Sequence, residues 1–183
     1  MLSMAQPSPS ARERILDSYI ELLISEGERA ATLDAVARTA EVSKGGLLYH
    51  FKNKDALVES LIERLEEEVE ADIARLHAHP EDSIGYFLRT SVNMGTPYDR
   101  AILATLRIAQ ENQQARDALN RMHDHWRGAL SRTIPDPAVV DVVIFVSDGI
   151  YSASALDGKV AHSVQETIDV VKRLVASPAP QIP

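Results

Sequence analysis

No cysteine occurs in the 183 residues, which excludes disulfides, thiolate nucleophiles and thiolate zinc sites. Aromatic residues make up only 5% of the chain while alanine is plentiful, a balance that leans towards helix. No uninterrupted apolar run reaches about 18 residues, the length expected of a membrane span. The opening stretch, MLSMAQPSPSARER, lacks the apolar core of a secretory signal and reads as a disordered arm. The expected setting is cytoplasmic, with no membrane partner. There is also no Gly-rich phosphate loop followed by lysine, no nucleophile motif and no obvious acid pair. An enzyme is therefore not expected, and no cofactor is called for.

Positive charge is also in deficit, with 19 Lys and Arg against 27 Asp and Glu, a formal net charge of -8. The deficit is uneven. Residues 1–60 hold seven basic against nine acidic residues, and residues 61–183 hold twelve against eighteen, so most of the negative excess lies outside the N-terminal third. Between Val42 and Lys54 there is no acid at all, and three lysines fall in that window. At a Debye length of roughly 8 Å, local charge decides a phosphate contact, not the global sum. So clean a cationic segment in an acidic protein suggests a surface made for phosphates.

Apolar spacing resolves the chain into helices, with no convincing strand alternation and no internal repeat. Helix 1 is expected over about residues 11–26, with Ile15, Tyr19, Leu22 and Leu23 on one face and Gly27 as its stop. Thr32 reads as the N-cap of a second helix and Ser43 as the cap of a third. Leu47, Leu48 and Phe51 are expected to anchor that third helix, and Asn53 to cap a long fourth one reaching about His77. Pro80 ends that segment. Further helices are expected over about 81–93, 99–110 and 113–132. Asp136-Pro137 then opens an eighth helix that is apolar on nearly every side over its first half. It must be covered by its own chain and by a second subunit. Asp157-Gly158 stops it, and Ser163 to Glu166 is a capping-box match opening a ninth helix. The tail SPAPQIP cannot continue a helix. The expected fold class is all-α.

The spacing of Thr32, Val36-Ala37, Ala40, Val42-Ser43, Gly45, Leu47, His50-Phe51, Lys54 and Leu57 resembles the DNA-binding domain of the TetR family of transcriptional repressors. The likeness covers residues 10–57, about a quarter of the chain. It implies an N-terminal three-helix helix-turn-helix domain followed by a helical ligand-binding and dimerisation domain. The corresponding division is an arm at 1–10, a DNA-binding domain at 11–55, a ligand and dimer domain at 56–176, and a tail at 177–183. Two positions depart from the family pattern. The turn position often held by glycine is Glu41, and Leu48 stands where many members have tyrosine. SKGGLLYHF and the later Asp148-Gly149-Ile150-Tyr151 are similar to drug-responsive repressors of multidrug efflux genes.

A helix-turn-helix lays its second helix in the major groove. The DNA-contacting candidates are accordingly Thr32, Ser43, Lys44, Gly45, Gly46, Tyr49, His50 and Lys54. Lys44 can reach a guanine O6/N7 edge, and Gly45 and Gly46 suit close backbone approach. Tyr49, His50, Lys54 and Thr32 are candidates for phosphates, which set register without reading sequence. Arg12 and Arg14 on the arm offer further cations.

For a ligand, the candidates are Phe87, Ser91 and Met94, then Leu106, Arg107 and Gln110, then Met122, His123 and Trp126, and finally Asp148 and Tyr151. If their helices converge, as the resemblance implies, they line an aromatic, methionine-rich site with one carboxylate. Such a site suits a lipophilic small molecule, a flat or cationic one in particular. The same stripe reads equally as core, and Asp148 as a structural or intersubunit partner. Metal is not expected. His123 and His125 point about 200° apart on a helix and cannot share an ion, although His77 and His79 at a helix end could.

The expected partners are a roughly palindromic double-stranded DNA operator, a small-molecule inducer and a second copy joined through the two C-terminal helices. The competing class is a small-molecule-binding helical dimer without sequence-specific DNA binding, or a regulator sensing a metabolite.

Overall fold

The computed structural model describes residues 9–157 and 163–176. The expected arm up to residue 8, the Gly158 stop and the 177–183 tail lie outside the described residues. Nine α-helices and one short 3-10 turn run in order, and no strand occurs among the described residues. They are α1 (Ala11–Ser25), α2 (Leu33–Thr39), α3 (Lys44–His50), α4 (Lys54–His77), the 3-10 turn (Pro80–Asp82), α5 (Ser83–Thr90), α6 (Pro97–Ile108), α7 (Gln113–Leu130), α8 (Pro137–Asp157) and α9 (Val164–Ala176).

The chain forms two compact units, and α4 and α7 each contribute turns to both. Among the described residues the N-terminal unit spans 9–67 and 97–119, so it takes in α6 as well as the expected DNA-binding segment. Its α1 begins on a reciprocal cap: Ser10 Oγ accepts the Glu13 N–H at 3.2 Å, and the Ser10 N–H donates to the Glu13 carboxylate at 2.6 Å. The inner face of α1 carries Ile15, Tyr19 and Leu23, all fully buried, and packs on α2, α3 and α6. Leu47 and Phe51 seal α3 against this core, and Leu57, Leu61 and Leu65 do so for α4. Each such side chain contributes roughly 1.5–3 kcal/mol on burial. The Arg116 guanidinium donates to the carbonyls of Ala109 at 2.6 Å and Gln110 at 3.0 Å, closing the open end of α6.

Arg12 and Arg14 are not on an arm, because the Ser10 cap starts α1 before them. Arg12 donates to Ser60 Oγ at 2.7 Å and lies over the Phe51 ring at 5.2 Å. It therefore ties α1 to α3 and α4 and is not a spare cation for DNA.

Among the described residues the C-terminal unit comprises 68–96, 120–157 and 163–176, and in it α5 packs on α8 and α9. Helix α5 ends at Thr90, shorter than expected. Thr90 Oγ1 and Ser91 Oγ both turn back to the Phe87 carbonyl, at 3.1 and 2.7 Å, and Gly95 follows with φ +71°. The carboxylate of Asp82 receives both Arg89 and Lys172, fastening α5 to α9, and these two cations hold its pKa down. A Cβ on Gly85 would collide with that carboxylate.

Helix α8 is less enclosed than its composition suggests. Its residues Pro137–Leu156 form one helix that is, by length and composition alone, long and apolar enough to cross a membrane, with mean hydropathy 1.6 and a third of the span buried. Val140, Val143, Ile144 and Ile150 face the core, whereas Val142, Phe145 and Leu156 are exposed, Phe145 by 69%.

Candidate functional site

Two polar-and-aromatic clusters hold the candidate residues, one in each unit. In the N-terminal unit, Thr32 Oγ1 accepts the Ala35 N–H at 3.2 Å and starts α2. The helix closes with the Val42 N–H on the Ala37 carbonyl (3.0 Å) and the Glu41 N–H on the Arg38 carbonyl (3.2 Å). This pair of bonds is a Schellman end, which puts the intervening residue in the left-handed region. Glu41 occupies that position at φ +55°. Ser43 Oγ then accepts the Gly46 N–H at 3.0 Å and starts α3.

Both capping hydroxyls are thus engaged as acceptors. Each keeps its own O–H proton to donate to a phosphate. With Leu47 and Phe51 turned inward, α3 presents Lys44, Gly45, Tyr49 and His50 to solvent, with Tyr49 85% exposed. Leu48 also faces outward, at 38%, and does not anchor the helix as expected. A Cβ at Gly45 would meet nothing closer than Ser43 Oγ at 4.0 Å, whereas one at Gly46 would crowd that same cap at 3.2 Å. Gly46 is therefore accounted for by the cap, and Gly45 leaves bare backbone on the outer surface.

The lysines are not as open as the sequence suggests. Lys44 Nζ pairs with Asp34 on α2 at 2.9 and 3.2 Å. Lys54 Nζ donates to the Glu28 carbonyl at 3.2 Å and lies 3.4 Å from its carboxylate. Asn53 Oδ1 accepts the Ala56 N–H at 2.9 Å, as its capping position requires.

In the C-terminal unit, Phe87 of α5 meets Trp126 of α7 edge-on, with centroids 5.3 Å apart and an interplanar angle of 73°. His123, one turn earlier on α7, makes a second edge-on contact with Trp126 at 5.6 Å. Such pairs contribute about 0.5–1.5 kcal/mol beyond burial. The His123 Nε2 lies 3.3 Å from both oxygens of Asp148 on α8. Phe87 and Trp126 are themselves buried, as is Met122, while His123 and Asp148 are partly open, with side chains 33% and 48% exposed.

The remaining ligand candidates fall elsewhere. Ser91 is buried, with its hydroxyl shared between the Phe87 carbonyl and Ser147 Oγ, both at 2.7 Å. It is a clasp between α5 and α8, and the role of its partner Ser147 had no signal in the sequence. Met94 lies beyond the end of α5 and is 76% exposed, so it shares no helix face with Phe87. Leu106 and Arg107 are exposed on α6, and Gln110 is exposed just past its end, all in the N-terminal unit. Tyr151 is half-buried on α8, its carbonyl taking the Ser154 hydroxyl at 3.0 Å. The described residues hold no group of three or more His, Asp or Glu arranged for a metal ion.

The capped, outward-facing α3 falls inside a match to a known family. Residues 15–61 fit the model described as bacterial regulatory proteins, tetR family. That segment, about a quarter of the chain, is what the chain shares with the tetR family. The HTH-type transcriptional regulator SrpR of Pseudomonas putida is 31% identical over 68 residues, covering 37% of this chain and 32% of that regulator. The matched stretch thus spans about a third of that relative's length. The HTH-type transcriptional regulator BetI of Escherichia coli is 24% identical over 176 residues, covering 84% of this chain and 89% of its own. Among solved structures, the multidrug binding protein EbrR complexed with malachite green superposes with TM-score 0.70 at 23% identity, covering 91% of this chain and 98% of that one. At that identity the likeness establishes the fold alone.

Proposed function

We propose that this protein is a dimeric repressor of the TetR family that binds a roughly palindromic operator and is released by a lipophilic small molecule, a cationic one in particular. The observation that carries the DNA half is α3. It is a short capped helix held by two buried side chains, whose outer face offers Lys44, bare backbone at Gly45, Tyr49 and His50. Two such helices related by a twofold axis enter successive major grooves on one face of the duplex.

The exposed stripe Val142, Phe145, Gly149, Ser152 and Leu156 on α8, with Val170 and Leu174 on α9, supports pairing through these two helices. Gly149 has nothing within 4 Å of a notional Cβ, which leaves room for a partner helix. The ring cluster of Phe87, Trp126 and His123, ending at the Asp148 carboxylate, supports a flat cationic ligand through stacking and charge. A multidrug efflux gene is the corresponding target. Release requires the ligand to bind the DNA-incompetent form better, and a coupling of about 1–3 kcal/mol gives roughly 5- to 150-fold loss of operator affinity.

Selection from random duplex DNA tests the first half: one enriched palindrome is expected, and enrichment of none overturns it. A cationic dye titrated against the operator complex tests the second. Quenching of Trp126 fluorescence and release from DNA are expected over the same concentrations. Quenching without release would leave a binder that does not switch.

A further inference from the structure

We infer that Asp34 is a specificity-determining residue, acting by withholding Lys44 from the DNA backbone. This rests on the DNA-binding reading above. No acid lies within the cationic window of the sequence, yet folding brings one in from the preceding helix. Asp34 sits in the first turn of α2 and Lys44 opens α3, and the ammonium lies 2.9 Å from one carboxylate oxygen and 3.2 Å from the other. Both side chains are more than half exposed. Exposed pairs of this kind contribute little to folding, so the contact matters for what Lys44 can do next.

Sequence-independent binding scales with the number of phosphates that lysines and arginines neutralise. A phosphate approaching Lys44 must compete with a carboxylate for the ammonium and sit beside that carboxylate's charge. A guanine edge makes no such demand. It presents two uncharged acceptors, and an ammonium has three N–H donors, so Lys44 can donate to a base while still held by Asp34. Asp34 therefore lowers affinity for non-operator DNA more than affinity for the operator, and it fixes where the Lys44 donors lie. Lys54 is the contrasting case. Its ammonium is also bonded to a backbone carbonyl of Glu28, so loss of the Glu28 carboxylate would not set it free.

The test is Asp34→Asn in the full-length protein, measured by fluorescence anisotropy on the selected palindrome and on a scrambled duplex across a salt series. One extra effective phosphate contact steepens the log–log salt slope by about 0.9. Extrapolated to 1 M, that corresponds to roughly fifteenfold tighter scrambled-duplex binding near 50 mM salt and roughly fourfold near 200 mM. Operator affinity should change much less, so the ratio of the two falls several-fold. Asp34→Glu should restore the parent ratio, and thermal unfolding should stay near the parent in both variants.

If operator and scrambled affinities rise by the same factor, Asp34 only adds bulk charge and the inference is overturned. It is equally overturned if Asp34→Asn has its full effect in a Lys44→Ala background. If the parent protein discriminates no duplex from any other, the DNA-binding reading falls and this inference with it. If the parent selects a palindrome and only the ratio fails to move, this inference falls alone.

Discussion

Glu41 is the residue whose replacement tests the local physics most sharply. Among the described residues it alone combines a side chain with a positive φ, +55°, because the Schellman end of α2 needs a left-handed turn there. An L-residue in that conformation costs about 1–2 kcal/mol. Glycine removes that strain but gives back about 0.4–1 kcal/mol by loosening the unfolded chain. Glu41→Gly should therefore gain roughly 0.5–1 kcal/mol net, and for a chain of this size a midpoint rise of about 1–4 °C. Thermal unfolding by circular dichroism reads it directly. Two companions separate strain from charge. Glu41→Asn tolerates the left-handed turn and should gain part of the increase, while Glu41→Gln keeps the strain and should gain none. All three remove an exposed carboxylate one turn from the recognition helix, so all three should tighten DNA binding by roughly two- to threefold at low salt. A rise with Gln equal to that with Gly would refute the strain account. A fall with Gly would show that the turn is not left-handed in solution.

Three further outcomes are expected. Phe145→Lys places a charge in the exposed stripe of α8; losing two phenyl burials costs roughly 3 kcal/mol or more, so sedimentation should show dimer dissociation raised above a hundredfold. Retention of the dimer would move the interface elsewhere. Burial holds the Asp72 carboxyl above its usual range, against the opposing pull of Arg75 and a 3.3 Å bond from the Tyr86 hydroxyl. A raised acid keeps its proton longer when folded, so stability declines as pH climbs through the unfolded and then the folded value. Asp72→Asn, which still accepts from Tyr86, should match the parent in acid and melt higher near neutrality; the reverse order would contradict that sign. The Tyr19 hydroxyl is buried without a hydrogen-bond partner among the described residues, and Tyr19→Phe should stabilise by about 1 kcal/mol in urea unfolding. A loss of similar size would mean that the hydroxyl is bonded in solution.

What the sequence made legible was whatever depends on near neighbours. Thr32, Ser43 and Asn53 cap the helices that their positions predict, because a cap is decided three residues away. Leu47 and Phe51 are legible from their spacing, but Leu48, next to Leu47, turns outward because a seven-residue helix has only one inner edge. Long-range partners are not legible. Nothing in a run of lysines announces that Asp34 will lie 2.9 Å from one of them, or that Arg12 will close over Phe51. The ligand candidates divide in the same way. Phe87, His123, Trp126 and Asp148 come together because α5, α8 and the part of α7 from Asn120 onward lie in one unit. Ser91 departs from its expected role because its hydroxyl turns to a serine 56 residues later in the chain, a pairing only the packed helices create.

The hydrogen that serves as the side chain of Gly85 has reach well beyond its own helix. Because it takes no room, the Asp82 carboxylate can lie flat on α5 and grip Lys172 from α9. Even a methyl group there would push that grip open. The damage would then surface some ninety residues away, as a slack C-terminal helix, with the N-terminal unit still correctly folded.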